Sequence, residues 1–90
     1  MLESTRVFSA ADKLEMKDWL KRAADFGYNA ICKGIADRPE NLIEVYGPLE
    51  LVPVAIVYPE GDHGYVFEGF DGEIRETMSL CDALDFVRYG

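Results

Sequence analysis

The chain has 90 residues, of which 49% are hydrophobic and 29% charged, and its net charge is −8 at pH 7. This length predicts a single domain over residues 1–90 with one modest core, and this composition excludes an intrinsically disordered chain. No apolar run approaches the roughly 20 residues of a membrane-spanning helix. The first residues carry an early acid and no apolar segment, unlike a signal peptide. We therefore expect a cytoplasmic protein without membrane contacts.

The negative charge is concentrated in the second half of the sequence. Residues 1–38 hold six acids and seven bases, whereas residues 39–90 hold eleven acids and two bases, a net charge of −9. Such an asymmetry is informative about partners. It favours a protein partner with a basic surface and disfavours direct binding of nucleic acid, because the phosphate backbone would be repelled.

A long helix is predicted near the start. Ser9, followed three residues later by Asp12, has the form of a capping box, and an acid is favourable in the positive first turn. Gly27 is expected to end the helix because glycine accepts the left-handed conformation. Between these positions, apolar residues recur at helical spacing and form one stripe: Met16, Trp19, Leu20, Ala23, Ala24 and Phe26.

Residues 28–47 allow two interpretations. The β-branched and aromatic content of the later residues favours a hairpin of Tyr28–Lys33 with Leu42–Tyr46. A short capped helix over residues 41–46 is the alternative, because the preceding Asp-Arg-Pro-Glu segment resembles a helix start. Gly47-Pro48 is expected to end either element.

A three-stranded antiparallel meander is predicted for residues 52–78. Three runs rich in β-branched and aromatic residues are separated there by turn residues. The dipeptide Asp71-Gly72 is typical of a two-residue type I′ turn. That turn sets a register with these pairs: Phe70 with Glu73, Glu68 with Arg75, Val66 with Thr77, Gly69 with Ile74, Phe67 with Glu76, and Tyr65 with Met78.

This register assigns the side chains of the meander to two faces. Because strand side chains alternate, each face collects every second residue. One face is strongly apolar and is the predicted core face: Val54, Ile56, Tyr58, Tyr65, Phe67, Ile74 and Met78. The other face mixes apolar and charged side chains and is expected to be partly solvated: Ala55, Val57, Val66, Glu68, Phe70 and Arg75.

A short helix is predicted at the end of the chain. Ser79 and Asp82 repeat the cap pattern found at Ser9. The apolar stripe that follows consists of Leu80, Ala83, Leu84 and Val87. Together these elements predict an α+β fold, in which a small antiparallel sheet of three to five strands carries a long N-terminal and a short C-terminal helix on one face.

Residues with catalytic or ligand-binding chemistry are sparse. Cys32 and Cys81 lie far apart and in no metal-binding spacing, so we expect two half-buried thiols, with a disulfide between them as the alternative. His63 is the only histidine and is expected to be a solvated turn residue, since no nucleophile or ligand set accompanies it. We therefore predict no catalytic residue, no cofactor and no metal, and hence no enzyme.

The remaining candidate is a group of acids with two aromatic neighbours, Tyr65 and Phe70. Its functional interpretation is a surface complementary to a basic partner, with the aromatic residues as binding anchors. The alternative is a solvated acidic surface that keeps a small protein soluble. Tyr89 is a further aromatic residue of the same region. The acids are Glu60, Asp62, Glu68, Asp71, Glu73, Glu76, Asp82 and Asp85.

The size and charge are similar to those of small acidic phage and mobile-element proteins that block host nucleic-acid machinery, such as anti-CRISPR and antirestriction proteins. No motif accompanies this likeness, which rests on general profile. It implies an inhibitor that occupies a basic, nucleic-acid-binding surface of a larger complex. The alternative is a non-catalytic accessory or regulatory subunit that assembles through an apolar sheet or helix surface, with homodimerisation through an edge strand.

Overall fold

The computed structural model describes residues 7–35, 38–49 and 51–89. In this part of the chain, two helices pack on one face of a five-stranded sheet. The sheet is antiparallel throughout, and its strands lie side by side in chain order. The predicted α+β class is therefore confirmed. The elements are α1 (Ala10–Ala23), a 3₁₀ turn (Ala24–Phe26), β1 (Asn29–Ile35), β2 (Arg38–Tyr46), β3 (Ala55–Glu60), β4 (Gly64–Gly69), β5 (Ile74–Thr77) and α2 (Leu80–Tyr89).

Helix α1 begins at the predicted capping box. The Ser9 hydroxyl accepts a hydrogen bond from the Asp12 backbone N–H at 3.1 Å, and the Asp12 carboxylate accepts one from the Ser9 N–H at 2.9 Å. After the 3₁₀ turn, Gly27 stops the helical segment in the left-handed conformation, with φ of 86°. Trp19 and Ala23 of the predicted stripe are fully buried. Phe26 is exposed, since the tighter 3₁₀ turn rotates the last residues off the stripe.

The hairpin interpretation of residues 28–47 is confirmed. Ala30 pairs with Val45 and Cys32 with Ile43 across β1 and β2, so residues 41–46 are a strand and not a helix. Burial alternates along β2, as expected for a strand with one face on the core. This alternation points Ile43 and Val45 towards the helices.

Helix α2 packs with α1 on the same face of the sheet, as predicted. Ser79 caps it, because its hydroxyl accepts the Asp82 N–H at 3.4 Å, and its carbonyl accepts the Ala83 N–H at 3.1 Å. Leu80, Ala83 and Leu84 are fully buried. These side chains join Trp19 and the inward residues of the sheet in one core cluster. Burial of the helical stripes against the sheet stabilises elements that would be marginal in isolation.

The predicted two-residue turn at Asp71-Gly72 is wrong. The β4–β5 hairpin closes at Gly69 and Glu73, so residues 70–72 form a three-residue loop. The Gly72 N–H donates to the Gly69 carbonyl at 3.0 Å, and the Gly69 N–H donates to the Glu73 carbonyl at 2.7 Å. Gly72 occupies the left-handed region with φ of 99°. A three-residue hairpin loop ending in a left-handed glycine is a common alternative to the type I′ turn.

The extra loop residue shifts the register by one position. Phe67 pairs with Arg75 and Glu68 with Ile74, so the predicted Glu68–Arg75 pair is wrong. The other predicted pairs of the same register are also replaced, since Tyr65 pairs with Thr77 and Val66 with Glu76. Because side chains alternate along a strand, the slip moves Ile74 of β5 to the opposite face of the sheet.

The same correction applies to β3. Its loop to β4 also has three residues, 61–63, so Val57 pairs with Phe67 and Pro59 with Tyr65. The core face is therefore lined by Ala55 and Val57. Among the residues predicted for the core face, Tyr65 and Phe67 are buried and Val54 packs against the cluster, whereas Ile56, Tyr58, Ile74 and Met78 lie outside it.

Replacing Gly72 with alanine should lower the free energy of unfolding by about 1 kcal/mol, because a residue with a Cβ atom is disfavoured at positive φ. A Cβ atom at this position would meet nothing within 4 Å, so the cost is conformational. Gly72→Asn should cost less, since asparagine tolerates the left-handed region. Urea denaturation of the two variants measures the difference. Equal stability of both variants and the parent would contradict the assignment of the loop.

Candidate functional site

The face of the sheet opposite α1 and α2 carries a mixture of apolar and acidic side chains, and we call it the open face. It results from the corrected register, which turns every second strand residue away from the helices. Ile56, Tyr58 and Glu68 are half-buried there, and Val66 is buried beneath its neighbours. The described residues of the open face include Asn29, Ile31, Lys33, Leu42, Glu44, Tyr46, Ile56, Tyr58, Glu60, Val66, Glu68, Ile74 and Glu76.

Tyr58 is the centre of the acidic part of the open face. Its hydroxyl donates a hydrogen bond to the Glu68 carboxylate at 2.6 Å. Burial raises the pKa of Tyr58 well above its usual range, and the negative charges of Glu68, Glu60 and Glu76 raise it further. Glu60, Glu68 and Glu76, from three adjacent strands, thus lie on the same face of the sheet as Tyr58, which concentrates negative charge in this area.

The β1–β2 side of the open face is different because its acid is neutralised. The Lys33 ammonium lies 2.8 Å from a Glu44 carboxylate oxygen, and the Tyr46 hydroxyl donates to the same oxygen at 3.1 Å. The hydrogen bond from Lys33 holds the pKa of Glu44 below its ordinary value. Burial raises the pKa of Tyr46, and Glu44 adds to that effect. Among the side chains that the structure describes, three of the four acids of the open face therefore lie on β3–β5.

Three predicted site residues lie together at the β4–β5 loop. Phe70 is 60% exposed, and Asp71 is exposed beside it. Glu73 pairs with Arg75 at 3.3 Å. This group is at the end of the sheet and is separate from the acids around Tyr58.

The other predicted acids are dispersed. Asp62 is exposed in the β3–β4 loop beside His63, and Asp82 is exposed in the first turn of α2. Asp85 is half-buried and accepts a hydrogen bond from the Trp19 indole N–H at 3.0 Å, so its carboxylate joins the two helices. The predicted group of acids is thus distributed over several separate surfaces of the structure. The side chain of Tyr89 lies outside the described residues.

Tyr65 is a core residue. It is 8% exposed, and its hydroxyl donates to the Asp12 carboxylate, which is 5% exposed. Asp12 therefore serves both the cap of α1 and the link from α1 to β4. Tyr65 is therefore too deeply buried to anchor a partner.

Sequence reasoning missed an apolar loop between β2 and β3. Leu49 and Leu51 are almost completely exposed, and Val52 is largely exposed. Leu49 also has a positive φ of 62°, which is unusual for a residue with a branched side chain. The flanking Pro48 and Pro53 were the available signal, because prolines on both sides of a short apolar run oppose its inclusion in a central strand.

Both cysteines are thiols of intermediate burial that form no disulfide, which confirms the prediction of half-buried thiols. The Arg22 guanidinium donates to the Cys81 sulfur at 3.2 Å, and this contact raises the pKa of Arg22. Among the residues described, His, Cys, Asp and Glu form no group of three or more that could hold a metal ion. No helix in the same residues is long and apolar enough to cross a membrane.

Comparisons of the chain with protein-family models, with curated proteins and with solved structures found no match. Functional inference therefore depends on the geometry and charge of the surfaces described above.

Replacing Tyr65 with phenylalanine should lower the free energy of unfolding by about 1–3 kcal/mol, because it leaves a buried Asp12 oxygen without its hydroxyl donor. Tyr58→Phe is the matched control, since it removes a hydroxyl whose acceptor, Glu68, is less buried and should cost less. Urea denaturation gives both values. A larger loss for Tyr58→Phe would contradict the structural role assigned to Tyr65.

Proposed function

We propose that this protein is a non-catalytic interaction module that binds a basic surface of a protein partner through the β3–β5 part of its open face. The observation that carries the proposal is the placement of Glu60, Glu68 and Glu76 on one face with Tyr58. Val66 pairs with both Tyr58 and Glu76, and the Tyr58 hydroxyl donates to Glu68 at 2.6 Å. Carboxylates in such a group repel one another, and a cationic partner surface would relieve that repulsion.

The composition of the face also suits an interface. Half-buried Ile56 and Tyr58 would supply an apolar centre, while exposed Glu60 and Glu76 would form a charged rim. Aromatic residues with a polar end are enriched among residues that dominate binding energy. An acidic rim accelerates association with a basic partner and makes the complex sensitive to salt.

The class of partner follows from the charge. A surface that binds nucleic acid is basic, so a protein with an acidic half can occupy it in place of a phosphate backbone. The proposed activity is inhibition of a nucleic-acid-handling complex by such occupancy. The likeness in size and charge to phage and mobile-element anti-defence proteins supports this class as an analogy.

Replacing Glu60 and Glu76 together with lysine should weaken retention of the partner at least tenfold, because like charges facing each other across an interface cost several kcal/mol. Both side chains are exposed, so the fold should tolerate the change. The measurement is a pull-down from nuclease-treated host lysate, eluted in salt steps, followed by an affinity titration with the identified partner.

Asp18→Lys with Asp25→Lys is the matched control. It changes the net charge equally, but its residues are exposed on α1 and the following 3₁₀ turn. The control should retain most of the binding. Equal losses of affinity in the two double variants would show that net charge alone explains the effect. Unchanged affinity in the open-face variant would refute the proposed interface.

The exposed apolar loop favours a second candidate function, an accessory subunit that assembles through apolar contacts. Leu49 and Leu51 expose nearly all of their surface to water. Exposed apolar groups of this kind often mark protein contacts. A complex formed through them would resist salt, in contrast to one formed through the open face.

Leu51→Ser combined with Leu49→Gly should abolish a salt-resistant complex or homodimer without loss of stability. Leu51 makes little contact to lose, and glycine relieves the positive φ at residue 49. Leu14→Ser, at an exposed position of α1, is the control for lost surface hydrophobicity. Sedimentation at low and high salt gives the assembly state, and unchanged assembly in the loop variant would exclude this candidate.

A further inference from the structure

A cleft of about 310 Å³ lies between the end of α2 and the β3–β5 part of the sheet, on the face that carries the helices. It exists because the paired residues Ala55 and Gly69 are both small, so the sheet has no bulky side chain there. Phe67 and Phe86 line its apolar part, and Asp71 and Glu73 contribute carboxylates. This volume is at the lower end of the range for ligand pockets, which suits one side chain better than a larger molecule.

The Asp71 carboxylate is held over the backbone at the cleft. A Cβ atom added to Gly69 would lie 2.7 Å from its Oδ1 atom, so the carboxylate folds back over this glycine. The Glu73 backbone N–H donates to the same oxygen at 3.0 Å and fixes the orientation. The loop therefore holds the Asp71 carboxylate in one orientation, close to Gly69 at the cleft.

The rim of the cleft already holds a guanidinium. Arg75 lies with its Cζ atom 5.6 Å from the centre of the Phe86 ring, and its Nη2 atom is 3.3 Å from the Glu73 carboxylate. The Phe86 ring in turn contacts Phe67 at a centroid distance of 5.6 Å. An aromatic ring beside a carboxylate is the combination that binds arginine, through stacking and charged hydrogen bonds.

We propose that this cleft accepts an arginine side chain of the protein partner. The apolar walls would cover the aliphatic stem and the Asp71 carboxylate would face the guanidinium, while Glu73 keeps its ion pair with Arg75. Arginine is preferred to lysine because its planar group stacks on a ring and donates to two acceptors together. The proposal depends on the proposed function for the basic character of the partner, but it concerns a different surface from the open face.

The test titrates the isotope-labelled protein with a capped Gly-Arg-Gly peptide and follows backbone amide shifts. Two further peptides serve for comparison, one with citrulline and one with lysine in place of arginine. Citrulline has the shape of arginine without its charge. The expected result is a saturable response at Gly69, Asp71 and Phe86 with the arginine peptide, a weaker one with lysine, and none with citrulline.

Asp71→Asn should weaken binding of the arginine peptide about two- to fivefold, as expected for loss of one partly exposed charge. Asparagine can still accept the Glu73 N–H, so the loop should keep its shape, and unchanged β5 amide shifts would verify this. Gly69→Ala should also weaken binding, because its Cβ atom displaces the Asp71 carboxylate without altering charge. Asp25→Asn, at an exposed position of the 3₁₀ turn after α1, is the control and should bind as the parent does.

Equal responses to arginine and citrulline, or responses centred on the open face, would overturn the proposal. Unchanged affinity in both Asp71→Asn and Gly69→Ala would do the same. Because the probe is a defined peptide, either result would leave the open-face charge reversal as a separate test of the proposed function. Unchanged partner binding on reversal of Glu60 and Glu76, with a normal arginine response, would remove the proposed interface and retain the cleft.

Discussion

The register of the β3–β4–β5 meander is the constraint on which the rest of the structure depends. It is fixed by two three-residue loops, and the second of these needs a left-handed glycine at residue 72. Once the register is set, Val57 and Phe67 must face the helices and Tyr58 must face away. A shift by one residue would exchange the core and the solvent face.

The two faces that result have different chemistry. The helix-bearing face buries an apolar cluster, and its few polar groups have structural partners, as Asp12 has in Tyr65 and Asp85 has in Trp19. The open face instead combines the half-buried Ile56 and Tyr58 with the carboxylates of Glu60, Glu68 and Glu76. Such a distribution costs little in folding stability, because exposed charges remain hydrated, and it leaves the face suited to a charged partner.

Local signals predicted local structure well. Ser9 and Ser79 mark their helices because a cap is a contact within a few residues, and the β-branched content of β2 indicated a strand. Loop length at Asp71-Gly72 could not be predicted in the same way, since this dipeptide also fits a three-residue loop. The predicted register therefore gave the acids the wrong neighbours. Glu68 and Glu76 lie on the same face as Tyr58, which the prediction had placed on the core face. The cleft at Gly69 depends on a pairing with Ala55 that no local pattern reveals.

Trp19 gives the protein an intrinsic fluorophore at one defined junction. It is the only tryptophan of the chain, it is fully buried, and its indole bonds to Asp85 of α2 while its ring lies 6.4 Å from that of Tyr28. Its emission therefore reports the docking of the two helices on each other. The aromatic residues described on the open face are Tyr46 and Tyr58, so the tryptophan signal comes from a different part of the molecule than the surface proposed for recognition.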